Sequence, residues 1–86
     1  MTDEPFRLQI TRRAQKDIAT LTPKLKKKLH EILVHRIAVN PFDGKKLVGD
    51  LKGSWSVRLT PKDRVVYSID EEDRIVHILR GRTHYE

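Results

Sequence analysis

Between Thr22 and Ile37 the chain can bury only one side of itself. Leu25, Leu29, Ile32, Leu33, Val34 and Ile37 recur at helical spacing, while Lys24, Lys26, Lys27, Lys28, Glu31 and Arg36 fall outside that stripe. Thr22-Pro23 supplies the start, because a capping threonine satisfies exposed amides and a proline at the first helical position gives up no needed N–H. The helix is expected to end near Asn40-Pro41. A helix with one broad apolar face needs a second layer to cover it.

The flanking segments provide that layer. Phe6-Arg7-Leu8-Gln9-Ile10 alternates as a half-buried strand does, with Phe6, Leu8 and Ile10 facing the core. Thr11 then caps a shorter helix over Arg12 to Leu21, with Ala14, Ile18 and Leu21 at helical spacing. After the long helix, turn formers bound a connecting segment from Asn40 to Gly53. Ser54 to Leu59 alternates strictly, sending Trp55, Val57 and Leu59 inward and Arg58 outward. Thr60-Pro61-Lys62-Asp63 is turn material, Arg64 to Ile69 a strand, Asp70-Glu71-Glu72-Asp73 an acidic turn, and Arg74 to Leu79 the last strand. Short links make the last three strands an antiparallel meander. The expected fold is α+β, in the order β-α-α-β-β-β, an antiparallel sheet with a helix pair on one face and the other face free.

Eighty-six residues make a single domain, 1–86. Without cysteine, no disulfide, thiol nucleophile or thiolate metal site can form. His30 and His35 stand five apart, off the spacing that puts two ligands on one helix face, and there is no His-Glu-x-x-His, so no metal is expected. Gly49 and Gly53 form no phosphate-cradling motif, and no serine has a plausible His and Asp around it. No apolar run approaches a membrane span, and the acidic opening Met1 to Pro5 is unlike a signal peptide, so a cytoplasmic location is expected. Eighteen Lys plus Arg against 12 Asp plus Glu give a formal charge of +6, which suits a polyanionic partner. The run Lys26-Lys27-Lys28 spreads around its helix and reads as solvated surface.

The chemistry concentrates at the C-terminus, Arg80-Gly81-Arg82-Thr83-His84-Tyr85-Glu86. If the last strand carries on, alternation sends Arg80, Arg82 and His84 to one face and Gly81, Thr83 and Tyr85 to the other. Arg58, Arg64, Arg82 and His84 would then converge on the helix-free face. Guanidinium pairs bidentately with phosphate, and histidine adds a proton donor tunable near neutrality. The plainer alternative pairs Arg58 and Arg64 with the acidic turn and leaves the last seven residues a solvated tail. One reaction needs only these groups: RNA is cut when its own 2′-OH attacks the adjacent phosphorus. A base takes the hydroxyl proton, cations stabilise the phosphoryl oxygens, and an acid protonates the departing 5′ oxygen.

The helix pair, Gly53-Ser54-Trp55-Ser56-Val57-Arg58-Leu59, the strand start Arg64-Val65-Val66-Tyr67 and the terminal Arg82-Thr83-His84-Tyr85 resemble the RelE/ParE superfamily of toxins, and within it the YoeB/Txe branch. The likeness runs from Phe6 to Tyr85 and is most specific from Pro41-Phe42-Asp43-Gly44 onward. It implies a type II toxin-antitoxin toxin, cofactor-free, that enters the ribosomal A site, cuts mRNA and is neutralised by a cognate antitoxin, expected to be acidic. Operator DNA would be met only through the antitoxin complex. By position, Arg64 corresponds to the phosphate-stabilising arginine, His84 to the general acid, Tyr85 to a substrate-positioning tyrosine and Arg82 to the arginine before that pair. Where YoeB-like toxins carry a glutamate shortly before the leucine matching Leu47, this chain has Lys45 and Lys46, and RelE has lysines near this point. The base therefore stays open between Lys45, Lys46 and His84 in a shared role, with Arg58, Lys52 and Arg80 as the expected RNA-binding residues. Two competing functions are a ParE-like inhibitor of DNA gyrase and a non-catalytic module of an autorepressor complex.

Overall fold

The computed structural model describes residues 4–48 and 53–83. Its elements are β1 Arg7–Ile10, α1 Arg12–Ala19, α2 Pro23–Ile32, β2 Lys45–Lys46, β3 Trp55–Arg58, β4 Arg64–Asp70 and β5 Ile75–Thr83. The strands form one five-stranded sheet in the order β1-β5-β4-β3-β2. This is the expected α+β layer fold with two differences. β1 runs parallel to β5, so the sheet is mostly rather than wholly antiparallel. The connecting segment also holds a short 3₁₀ turn at Pro41–Asp43 and the two-residue edge strand β2.

Both helix caps form as the sequence predicts. Thr11 Oγ1 accepts from the Ala14 amide at 3.1 Å, and Thr22 Oγ1 accepts from the Leu25 amide at 3.3 Å. Thr11 does more than cap, since its hydroxyl also donates to the Ile78 carbonyl at 2.9 Å and so ties α1 to β5. α2 does not remain α-helical to Asn40. It passes into a π-helical turn at Leu33–Ile37, where the Ala38 amide donates five residues back to the Leu33 carbonyl at 2.9 Å. The wider turn shifts the phase of the apolar stripe. Ile37 and Ala38 are buried, while Val34, expected in the stripe, stands 39% exposed because helical spacing carries it well past Leu33 and off the buried face.

The core lies between the helices and one sheet face. Leu29, Ile32, Leu33 and Ile37 pack with Val57, Leu59, Val65, Tyr67, Val76 and Ile78. Each such aliphatic side chain, fully buried, contributes about 1.5–3 kcal/mol. At one end of the sheet Phe42 sits edge-on to both Phe6 and Trp55. Arg74, held at a left-handed φ of 53°, lies over the Phe6 ring at 4.2 Å and donates to the Glu4 carbonyl at 2.6 Å.

Candidate active site

Cross-strand partners in an antiparallel pair share a face, so the register sorts the candidates. Trp55 pairs with Tyr67 and Val57 with Val65 on the helix-covered face, while Ser56 pairs with Val66 and Arg58 with Arg64 on the other. Arg58 and Arg64 therefore stand directly opposite each other, and the Arg64 Nη1 donates weakly to Ser56 Oγ at 3.5 Å. Among the described residues neither arginine has a carboxylate at ion-pair distance. The acidic turn at Asp70 to Asp73 lies at the far end of β4, roughly 20 Å away at a strand's rise per residue. The alternative pairing with that turn does not form.

The same rule separates the two lysines. Lys45 pairs with Ser56 and so shares the face of Arg58 and Arg64; Lys46 pairs with Trp55 and its Nζ lies 5.9 Å from that ring's centroid. Lys46, itself exposed, thus lies beside the aromatic end of the core.

β5 does continue into the tail, but not with simple alternation. Its partners along β4 are Ile78 to Tyr67, Arg80 to Val66 and Thr83 to Arg64, so β5 carries extra residues in two places. Such bulges re-aim side chains. Ile78 enters the core, yet the next position directed at α1 is Gly81, where a Cβ would stand 2.6 Å from Ile18 Cγ1 and 3.1 Å from the Ala14 carbonyl oxygen. Arg80 and Arg82 do not form one stripe. Arg80 grips Asp17 of α1, its Nε donating to Oδ2 at 2.7 Å and its Nη2 to Oδ1 at 3.3 Å. Arg82 instead pairs with Asp63, Nε to Oδ1 at 3.3 Å, while Thr83 lies beside Arg64. The sheet thus brings together Arg58, Arg64, Ser56 and Lys45, with Arg82 reaching the turn before Arg64 and Arg80 committed to a helix. Lys52, His84 and Tyr85 lie outside the described residues.

Asp17 and Asp63 had no signal of their own in the sequence, one being a helix-surface aspartate and the other a turn residue. Burial disfavours the charged form of Asp17, but the Arg80 hydrogen bond and charge, with the Gly81 amide donating at 3.2 Å, hold its carboxyl below the usual value. Stability from this group is therefore present above pH 3.8, its ordinary value, and is lost as the pH falls through the lower folded value. Asp17→Asn is expected to lower the unfolding free energy at neutral pH by about 2 kcal/mol and to flatten its decline below about pH 4. Urea denaturation across pH 2–7 checks both; an unchanged acid limb would remove Asp17 from the account. Among the described residues no group of three or more His, Asp or Glu lies together as metal ligands, and no helix is long and apolar enough to cross a membrane.

The family model of the YoeB-like toxin of bacterial type II toxin-antitoxin systems matches residues 10–85. The chain is 37% identical over 67 residues to Toxin YoeB of Synechocystis sp., which covers 73% of this chain and 74% of that one. It superposes with a TM-score of 0.85 on the RelBE2 toxin-antitoxin complex of Mycobacterium tuberculosis, at 29% identity over 98% of this chain and 95% of that chain. The YoeB dimer of Staphylococcus aureus gives a TM-score of 0.77 at 26% identity, covering 94% of this chain and 99% of that chain. From its sequence and its fold alike, the chain belongs to the YoeB-like toxins of bacterial type II toxin-antitoxin systems.

Proposed function

We propose that the protein is a metal-independent endoribonuclease that cuts mRNA in the ribosomal A site and so arrests translation. The observation that carries this reading is the facing pair Arg58 and Arg64, two like charges set opposite each other with no carboxylate of the described residues at ion-pair distance. Like charges directly opposite on a sheet destabilise it, and a bound phosphate removes that cost. Arg64 and Arg58 hold the scissile phosphate, with Arg82 beside them. The 2′ oxygen forms its bond to phosphorus as the bond from phosphorus to the 5′ oxygen breaks, leaving a 2′,3′-cyclic phosphate and a 5′-hydroxyl. His84 gives the departing oxygen its proton, Tyr85 orients the nucleotide, and Lys45 takes the 2′-OH proton.

Lys45 has this role rather than Lys46 because register puts it on the arginine face. An antitoxin binds the protein, as the toxin-antitoxin complex among its structural relatives suggests; the basic charge suits an acidic antitoxin segment over the same face, with an association that weakens with salt.

The test is primer extension on a defined mRNA, with and without translating ribosomes. Cuts at A-site codons that need ribosomes are expected from the wild type. Lys45→Ala is expected to slow them about a hundredfold, and Lys46→Ala to leave them within about threefold. The reverse order would move the base to the Trp55 side. Growth arrest without any cutting would favour a gyrase-type target.

A further inference from the structure

We infer that Asp63 is a positioning residue of this site, holding the Arg82 guanidinium by its Nε so that the two Nη groups stay available to the phosphate. The inference rests on the nuclease reading above and goes beyond it. Asp63 is 4% exposed, although it sits in a surface turn and is charged. A carboxylate is buried in this way only where partners hold it. Here its place is set locally and firmly. Its amide donates to Thr60 Oγ1 at 2.9 Å, its carbonyl accepts from the Leu59 and Thr60 amides at 2.9 and 3.1 Å, and its Oδ2 accepts from Thr60 Oγ1 at 3.2 Å. The other oxygen, Oδ1, is the one that Arg82 Nε meets at 3.3 Å, as an ion pair not aligned as a hydrogen bond.

A guanidinium has five N–H donors in a rigid fork, and contact through Nε leaves the four Nη hydrogens. Arg80 shows the contrast. Asp17 takes both its Nε and its Nη2, and that Nη2 also faces the Arg82 carbonyl at 3.4 Å. Arg80 is thereby a strut, bracing the strand end on which Arg82 rides. Asp63 also immediately precedes Arg64, so one short turn sets the direction of two guanidiniums, one toward Asp63 itself and the other toward Ser56. The carboxylate lowers the local positive charge, so its benefit is in orientation and its cost is in attraction. Removing it separates the two.

Two measurements test this. In the free protein, the Arg82 Nε NMR resonance is expected to shift in Asp63→Asn, which removes the charge beside it; a resonance unchanged in the variant overturns the inference without reference to any reaction. In single-turnover cleavage of ribosome-bound mRNA, Asp63→Asn is expected to lower the saturating rate about tenfold, with half-saturation unchanged or at lower toxin concentration. A folding defect alone would weaken both. In an Arg82→Gln background the same change is expected to alter the rate less than about twofold, because its effect travels through Arg82. A wild-type rate for Asp63→Asn, or a full tenfold loss in the Arg82→Gln background, overturns the assignment while leaving the nuclease reading intact. Failure of the wild type to cut overturns both.

Discussion

Arg64→Ala is expected to slow cleavage of ribosome-bound mRNA by about 10²–10³-fold, the usual loss when one preorganised donor to a reacting oxyanion is removed. Its stability is expected to stay within about 1 kcal/mol of the wild type. The second expectation gives the first its meaning. Arg64 is half-buried, but its guanidinium has little to lose: a 3.5 Å hydrogen bond to Ser56 Oγ and no ion pair among the described residues. Its direct cross-strand neighbour is Arg58, so deletion also relieves a repulsion of about 0.2–1 kcal/mol. A residue present for the fold would show the opposite pattern, a large stability loss with cleavage falling only in proportion to unfolded protein. Single-turnover primer extension and urea denaturation of the same preparations distinguish the two. Cleavage by Arg64→Ala at the wild-type rate would remove the observation on which the nuclease reading stands.

The largest stability effect is expected at Gly44. Gly44→Ala should lower the unfolding free energy by roughly 3–5 kcal/mol, combining overpacking with the loss of a buried hydroxyl bond. The backbone there is extended, with φ −78° and ψ 178°, so conformation is not the reason for glycine. Space is. An added Cβ would overlap the Tyr67 hydroxyl and stand 2.9 Å from the Ser56 carbonyl oxygen. Neither can yield. Ser56 is fixed in the pairing of β3 with both β2 and β4, and Tyr67 is fully buried with its hydroxyl donating to the Pro41 carbonyl at 2.6 Å. Burial pushes that phenol up to about 12, so it remains a neutral donor across the working range. In a Tyr67→Phe background the hydroxyl is absent, and Gly44→Ala is expected to cost about 2 kcal/mol less. Equal losses in the two backgrounds, read by guanidinium denaturation, would show that the hydroxyl contact is not the cause. The effect bears on function because Gly44 precedes Lys45, whose place on the arginine face depends on β2 lying close to β3.

The elements of this fold are written locally. Thr11 and Thr22-Pro23 start their helices wherever those residues occur, because a cap is satisfied within three residues. Strict alternation over Trp55 to Leu59 places Arg58 on the face away from the core, and the hairpin brings Arg64 opposite it. The placing of the two arginines together on that face was therefore legible from the sequence, as was the family.

What needed the tertiary structure are the features in which one residue's position is decided by another far along the chain. β1 pairs in parallel with β5 across most of the sequence, a choice on which local propensity is silent. The π-helical turn brings Ile37 inward because packing against the core, not helical spacing alone, selects the side chains taken in. A one-residue register change turns every side chain to the opposite face. Pairing with β3 therefore put Lys45 on the face of Arg58 and Arg64 and Lys46 beside Trp55, and the bulges of β5 sent Arg80 to Asp17 and Arg82 to Asp63. Spacing along a single strand carries no record of the partner against which that strand is read. Composition and periodicity thus specified the parts and the chemistry available, while packing between distant segments decided which charged groups stand together on the sheet and which are bound to a carboxylate.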